Sequence, residues 1–240
     1  MHRLLCFMTL ISLGVSACST TRPGSLPPSA EPPPTVTATV TLQPIPTRSP
    51  IPTIQTIVTS TALAEPEGCR KPPDDESLVE VNGQTLNRRT LAMLQYAQAL
   101  YGGELEISAY AITQGSYTQS VAESFGTHAG GGAVDLSVMR RGTYTILWDD
   151  IPPLIHALRL AGFAAWLRRP DELYDGSPIH IHAIAIGDSQ LSPAAIEQLT
   201  GPSGYFYGYN GLPVKNNSPI PDPHGGPIIC NWMRQAGYND

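Results

Sequence analysis

Charge is scarce in this chain. Only 14% of its 240 residues are Asp, Glu, Lys or Arg, and the acids outnumber the bases to leave a net charge of −6. Such a chain lacks the basic surface needed to hold nucleic acid or an anionic membrane by charge. Aromatic residues are also few, at 7%. Both figures suit a soluble globular domain. No long hydrophobic run stands out: the apolar stretch from Leu4 to Val15 is too short to cross a bilayer. Cysteine is limited to four residues, and their positions carry more information than their number.

The first seventeen residues read as a targeting segment rather than part of a fold. His2-Arg3 gives a positive start, Leu4 to Val15 the apolar stretch, and Val15-Ser16-Ala17-Cys18 closes it. That closing tetrapeptide resembles a bacterial lipobox, which implies cleavage before Cys18 and lipid on its thiol. Ordinary secretion with cleavage near Ala17 is the alternative. Either route places the mature protein outside the cytoplasm, and a lipid would anchor it to the cell membrane. Loss of Arg3 takes the net charge to −7.

Residues 18–68 form a Pro-, Thr- and Ser-rich tether. Units such as Pro32-Pro33-Pro34-Thr35 and Pro44-Ile45-Pro46-Thr47 bury no core and favour extended polyproline-like chain. At ~3.1 Å per residue its reach is on the order of 150 Å, enough to enter a cell-wall mesh, although a plain spacer has the same composition. Cys6 leaves with the targeting segment and Cys18 takes lipid, so Cys69 and Cys230 remain. In an oxidising compartment these two are expected to pair and staple the ends of a single domain spanning 69–240.

Within that domain the segment His128-Ala129-Gly130-Gly131-Gly132-Ala133-Val134-Asp135 precedes His180-Ile181-His182 by about fifty residues. Zn2+ takes nitrogen and oxygen ligands in tetrahedral geometry, and a catalytic site keeps one position for water. His128, Asp135 and His182 fill three positions, and a water in the fourth has its pKa lowered to about 7. The glycines permit tight bending. Ala133 to Val138 reads as a strand with one inward carboxylate, and Ile179 to Ile186 as a strongly apolar strand. Strand alternation puts His180 and His182 on one face. A histidine in an apolar strand is also the pattern of a hydrogen-bonded core residue, and His156 and His224 carry no metal signal.

His-x-x-Gly-x-Ala-x-Asp followed by a His-x-His strand resembles the zinc DD-peptidase superfamily, which includes D-Ala-D-Ala carboxypeptidases, LAS-type murein endopeptidases and the hedgehog domain. The likeness runs from about Ile107 to Asp188 and takes in Leu160-Ala161-Gly162-Phe163. It implies His128, Asp135 and His182 as metal ligands, zinc as cofactor and peptidoglycan stem peptides as substrate. The chain departs from the family in three places. Gly126 stands where many members have Ser. Thr113-Gln114-Gly115-Ser116-Tyr117 replaces a loop that carries Arg, and no Arg occurs between Arg89 and Arg140. The acid nearest before the last ligand strand is Asp175. Asp175 or His180 is therefore the candidate catalytic proton carrier, and Gln114, Ser116 or Tyr117 the candidate substrate contact.

Hydrophobic spacing predicts a helix over 87–100 through Leu91, Leu94, Ala97 and Leu100, and a strand over 105–112. It also predicts a helix from Asp149 or Asp150 through Pro152-Pro153 to Gly162, a strand over 163–167 and a helix from Ser192-Pro193 to about Leu199. The expected fold is α+β, with a small, mainly antiparallel sheet flanked by helices. The resemblance implies the same hedgehog/DD-peptidase-like arrangement. Tyr205-Phe206-Tyr207-Gly208-Tyr209 either lines a sugar or peptide groove or packs as an irregular loop. Two functions stay open: a lipid-anchored zinc peptidase of the cell wall, and a non-catalytic zinc-stabilised module that binds wall peptide or a protein partner.

Overall fold

A computed structural model describes residues 64–119, 124–214 and 218–238. The targeting segment, Cys18 and most of the tether lie outside the described residues. The described residues form an α+β fold with two antiparallel sheets and four α-helices.

The first sheet is a hairpin of β1 (Leu78–Val81) and β2 (Gln84–Asn87), turned by Asn82 and Gly83. Both turn residues have positive φ, 51° and 73°, as a two-residue hairpin turn of this hand requires. Asn82 also donates its side-chain amide to the carbonyls of Tyr110 and Ile112, which ties the hairpin to the rest of the domain. Helix α1 (Arg88–Tyr101) follows directly, capped where Asn87 accepts from the amide of Thr90 and ended by left-handed Gly102. Its buried face is Thr90, Met93, Leu94 and Ala97, and Leu100 stays exposed. The real stripe is thus rotated from the one the leucine spacing predicts.

The strand expected over 105–112 is not formed. β3 is only Ile112–Gln114. Before it the backbone closes local turns, such as Ala109 N–H to Glu106 O, while Gln98 Oε1 accepts the Ile107 amide. Leu105, Ile107 and Ala111 are nonetheless fully buried. The apolar spacing there reports burial, and turns provide it.

The second sheet runs β3, β4 (Ala133–Leu136), β6 (His180–Ala185), β5 (Phe163–Arg168), every pair antiparallel. Alternation sorts its side chains cleanly. Val134, Leu136, Phe163, Ala165, Ile181 and Ala183 pack into one core cluster with α1 and with α2 (Ile151–Leu160). Helix α2 begins after Asp150, whose side chain makes no capping bond, and carries its prolines in the first turn. The opposite face carries Ala133, Ala164, Trp166 and Ile184. These pack against α3 (Pro193–Thr200), capped by Ser192, and against Tyr205, Ile229 and Met233 of the C-terminal segment. The remainder of that face holds Asp135, His180, His182 and Arg168.

Cys69 and Cys230 are disulfide-bonded across a separation of 161 residues, with Cα atoms 5.7 Å apart. Cys230 precedes the last helix, α4 (Asn231–Gln235). Two buried arginines fasten extended segments nearby. Arg89 donates to Asp74 and to the carbonyls of Pro73 and Ile186, and Arg159 to Asp222 and the carbonyls of Ala165, His224 and Gly226. The Arg159–Asp222 pair is buried on both sides, and breaking it costs about 3–5 kcal/mol because it leaves a charge without a partner, whereas Asp74 is exposed. The aromatic-glycine stretch packs rather than lining a groove. Tyr205 and Phe206 are buried, with Tyr205 edge-on to Trp166, and only Tyr207 is well exposed.

Candidate metal centre

Sheet register assembles the site. Gln114 pairs with Asp135, Asp135 with His182 and His182 with Trp166, so four side chains form one row across four strands. His180 and Arg168 pair in the adjacent row of the same face. His128 reaches the row from a separate 3-10 turn, Thr127–Ala129. Ser192 Oγ donates to Thr127 O and pins that turn to the start of α3. The glycine run brings the turn close to the neighbouring chain. A Cβ on Gly130 would lie 2.2 Å from Gln190 O, and Gly132 adopts φ 77°.

Three imidazole nitrogens converge on Asp135 Oδ1: His182 Nδ1 at 2.7 Å, His128 Nε2 at 3.3 Å and His180 Nε2 at 3.7 Å. The donor atoms of His128, Asp135 and His182 all lie within 4.8 Å of one another. Ligands around a tetrahedral zinc with ~2.0–2.2 Å bonds are about 3.3 Å apart, so the set fits a small cation with little adjustment. The tautomers agree with this. A carbonyl only accepts, so His128 Nδ1, 2.8 Å from Gly115 O, carries a proton in either charge state. That leaves Nε2, the nitrogen that faces Asp135, as the one that can bind a metal once its own proton is lost. His180 Nδ1 is likewise fixed by Pro178 O at 2.9 Å, which frees its Nε2. His182 Nε2 is buried without a partner, and Trp166 stacks on that ring at 6.1 Å. Nδ1 is the usable nitrogen of His182.

The electrostatics follow from burial and this convergence. Burial acts to raise the Asp135 carboxyl, but hydrogen bonds and charge from His128 and His182 outweigh it and hold the group well below the usual carboxylate range. Burial also acts to lower His128, and its bond to Asp135 reverses that, so His128 is raised. For His182 burial dominates and pushes the pKa down to about 4. Asp135 is thus ionised, His182 neutral, and the proton of the cluster belongs to His128.

The row opens into a cavity of about 340 Å³ that Gln114, His128, Asp135, His180 and His182 all line. Gln114 keeps its place, donating to Ser124 Oγ at 2.8 Å. Ser116 and Tyr117 do not reach the cavity. Ser116 is buried and donates to Ala133 O, so it braces the start of β4. The hydroxyl of Tyr117 is bonded to Gln190, outside the cavity wall. Asp175 is also not brought in. It is exposed in a turn closed by Ser177 N–H to Tyr174 O, and its neighbours Tyr174 and Ser177 line the cavity instead. Arg168, Gln198 and Phe125 line the cavity and were missed from sequence. Arg168 was within reach of strand alternation, since it continues the Ala164, Trp166 face, but the expected strand stopped at Leu167.

Comparison with family models, with curated proteins and with solved structures finds no match to this chain.

Proposed function

We propose that this domain is a zinc peptidase of the hedgehog/DD-peptidase type, anchored outside the cytoplasm by lipid on Cys18 and acting on peptidoglycan stem peptides. The observation that carries the reading is the joint geometry of His128 Nε2, Asp135 Oδ1 and His182 Nδ1, with a third imidazole nitrogen, His180 Nε2, free beside them and facing the same cavity. His128, Asp135 and His182 would hold the ion, which when bound polarises a carbonyl and lowers the pKa of water. His180 Nε2 accepts the proton of the attacking water and returns it to the leaving amine, and Pro178 O holds the ring in the tautomer this needs. Gln114 presents its side chain to the cavity for substrate contact. Residues 18–68 carry the domain away from the membrane into the wall.

A second reading, a zinc-stabilised module that binds wall peptide without cleaving it, has one observation behind it: among the described cavity residues Asp135 is the only carboxylate. That leaves no acid besides a metal ligand to move protons. Incubation of the protein with muropeptides, with and without a chelator, separates the two. Cleavage that stops with chelator and returns with zinc is expected. Binding without any cleavage product by fully zinc-loaded protein would establish the second reading.

A further inference from the structure

Three arginines are fully buried in the described domain: Arg89, Arg159 and Arg168. Arg89 and Arg159 each pair with a carboxylate, Asp74 and Asp222. Arg168 does not. Its Nη1 donates to Asn210 O at 2.8 Å, and its Nη2 is buried with no partner among the described residues. Burial lowers its pKa only to about 10, so it remains a cation at neutral pH. An unpaired buried cation is costly, and proteins retain one where a ligand completes it. Here the residue lines the metal-site cavity and stands opposite His180 in the sheet register. The guanidinium lies 5.2 Å from the Trp166 ring centroid, which fixes it in position.

A second unpartnered group shares the cavity. Gln198 on α3 is 8% exposed, and its Oε1 is buried without a hydrogen bond. We propose that Arg168 and Gln198 form a recognition wall for a peptide ending in a free carboxylate, with Arg168 receiving the carboxylate and Gln198 accepting an amide N–H of the same peptide. Guanidinium and carboxylate match as a charge-assisted pair, and the carboxamide oxygen suits the peptide N–H. A carboxylate held at Arg168 sets the preceding peptide bond beside His180. The cut then falls at the C-terminal residue, which makes the enzyme a carboxypeptidase rather than an endopeptidase. That the carboxylate belongs to a peptide rests on the function proposed above.

The test uses the full zinc-loaded chain and two probes, acetyl-L-lysyl-D-alanyl-D-alanine and its C-terminal amide. Calorimetric titration is expected to show the acid bound at least ~10-fold more tightly than the amide, as a charge-assisted contact gives. Arg168→Met is expected to abolish that preference with zinc content unchanged, Arg168→Lys to restore part of it, and Gln198→Leu to weaken both probes. If Arg168→Met fails to fold, the wild-type comparison decides alone. Equal affinity for acid and amide, or no binding of either, overturns the assignment. Equal cleavage of both probes removes the carboxylate wall and leaves the peptidase standing. A clear preference for the acid without cleavage does the reverse.

Discussion

His180 and Asp175 lie five residues apart, and their surroundings differ. Pro178 O takes the Nδ1 proton of His180 and points Nε2 into the cavity, whereas Asp175 is exposed in its turn. His180→Ala is expected to keep zinc and lose at least ~10²-fold in turnover of a muropeptide substrate, the usual worth of a general base. Asp175→Ala should turn over as the wild type does; a ~10²-fold loss there instead would move the proton carrier to the turn. The three candidate ligands differ in their protons. A raised pKa means that folded His128 keeps its proton above the ordinary 6.5, whereas His182, at about 4, and the ionised Asp135 have none to give near neutrality. Zinc binding at about pH 6 should therefore release close to one proton, that of His128, below the pH of about 7 where a zinc-bound water begins to ionise. Calorimetry in buffers of different ionisation enthalpy measures this, and release of two protons at that pH would contradict the assignment.

At the level of elements, the parts legible in the sequence are those where one local rule governs. Ser192-Pro193 starts α3, and period-two alternation puts His180 and His182 on the face that Asp135 shares. The failures come where two structures satisfy one pattern. Leu105, Ile107 and Ala111 are buried by turns instead of a strand, and the Met93–Ala97 face of α1 outcompetes the one marked by Leu91 and Leu100. The Asn82-Gly83 pair is a hairpin signal that local turn chemistry makes readable. Side-chain direction in the loop after β3 was not readable, because the tertiary partners of Ser116 and Tyr117, Ala133 O and Gln190, are distant in sequence. The glycine run before β4 behaves as its composition suggests. Gly130→Ala would press a methyl onto Gln190 O and the Ser192 amide, both backbone atoms. It is expected to cost about 1–3 kcal/mol in denaturant unfolding and to weaken zinc binding by shifting His128. A variant with wild-type stability and zinc affinity would show that the close approach does not position the ligand.

Across the whole domain, the candidate metal row draws on four strands and a separate turn, so its geometry depends on the fold as a unit. The Cys69–Cys230 bridge closes a long loop around that unit. In the chain-entropy model it contributes about 5 kcal/mol, an upper figure because denatured chains keep some structure. The Cys69→Ser, Cys230→Ser double variant should unfold at markedly lower denaturant while still binding one zinc; unchanged stability would contradict a stapling role. The metal set can be tested directly by measuring bound metal on purified protein after exhaustive dialysis. One zinc per chain is expected in the wild type, with loss of that zinc from separately purified, folded His128→Ala, Asp135→Ala and His182→Ala proteins. Full zinc retained in folded His182→Ala would contradict the three-ligand centre.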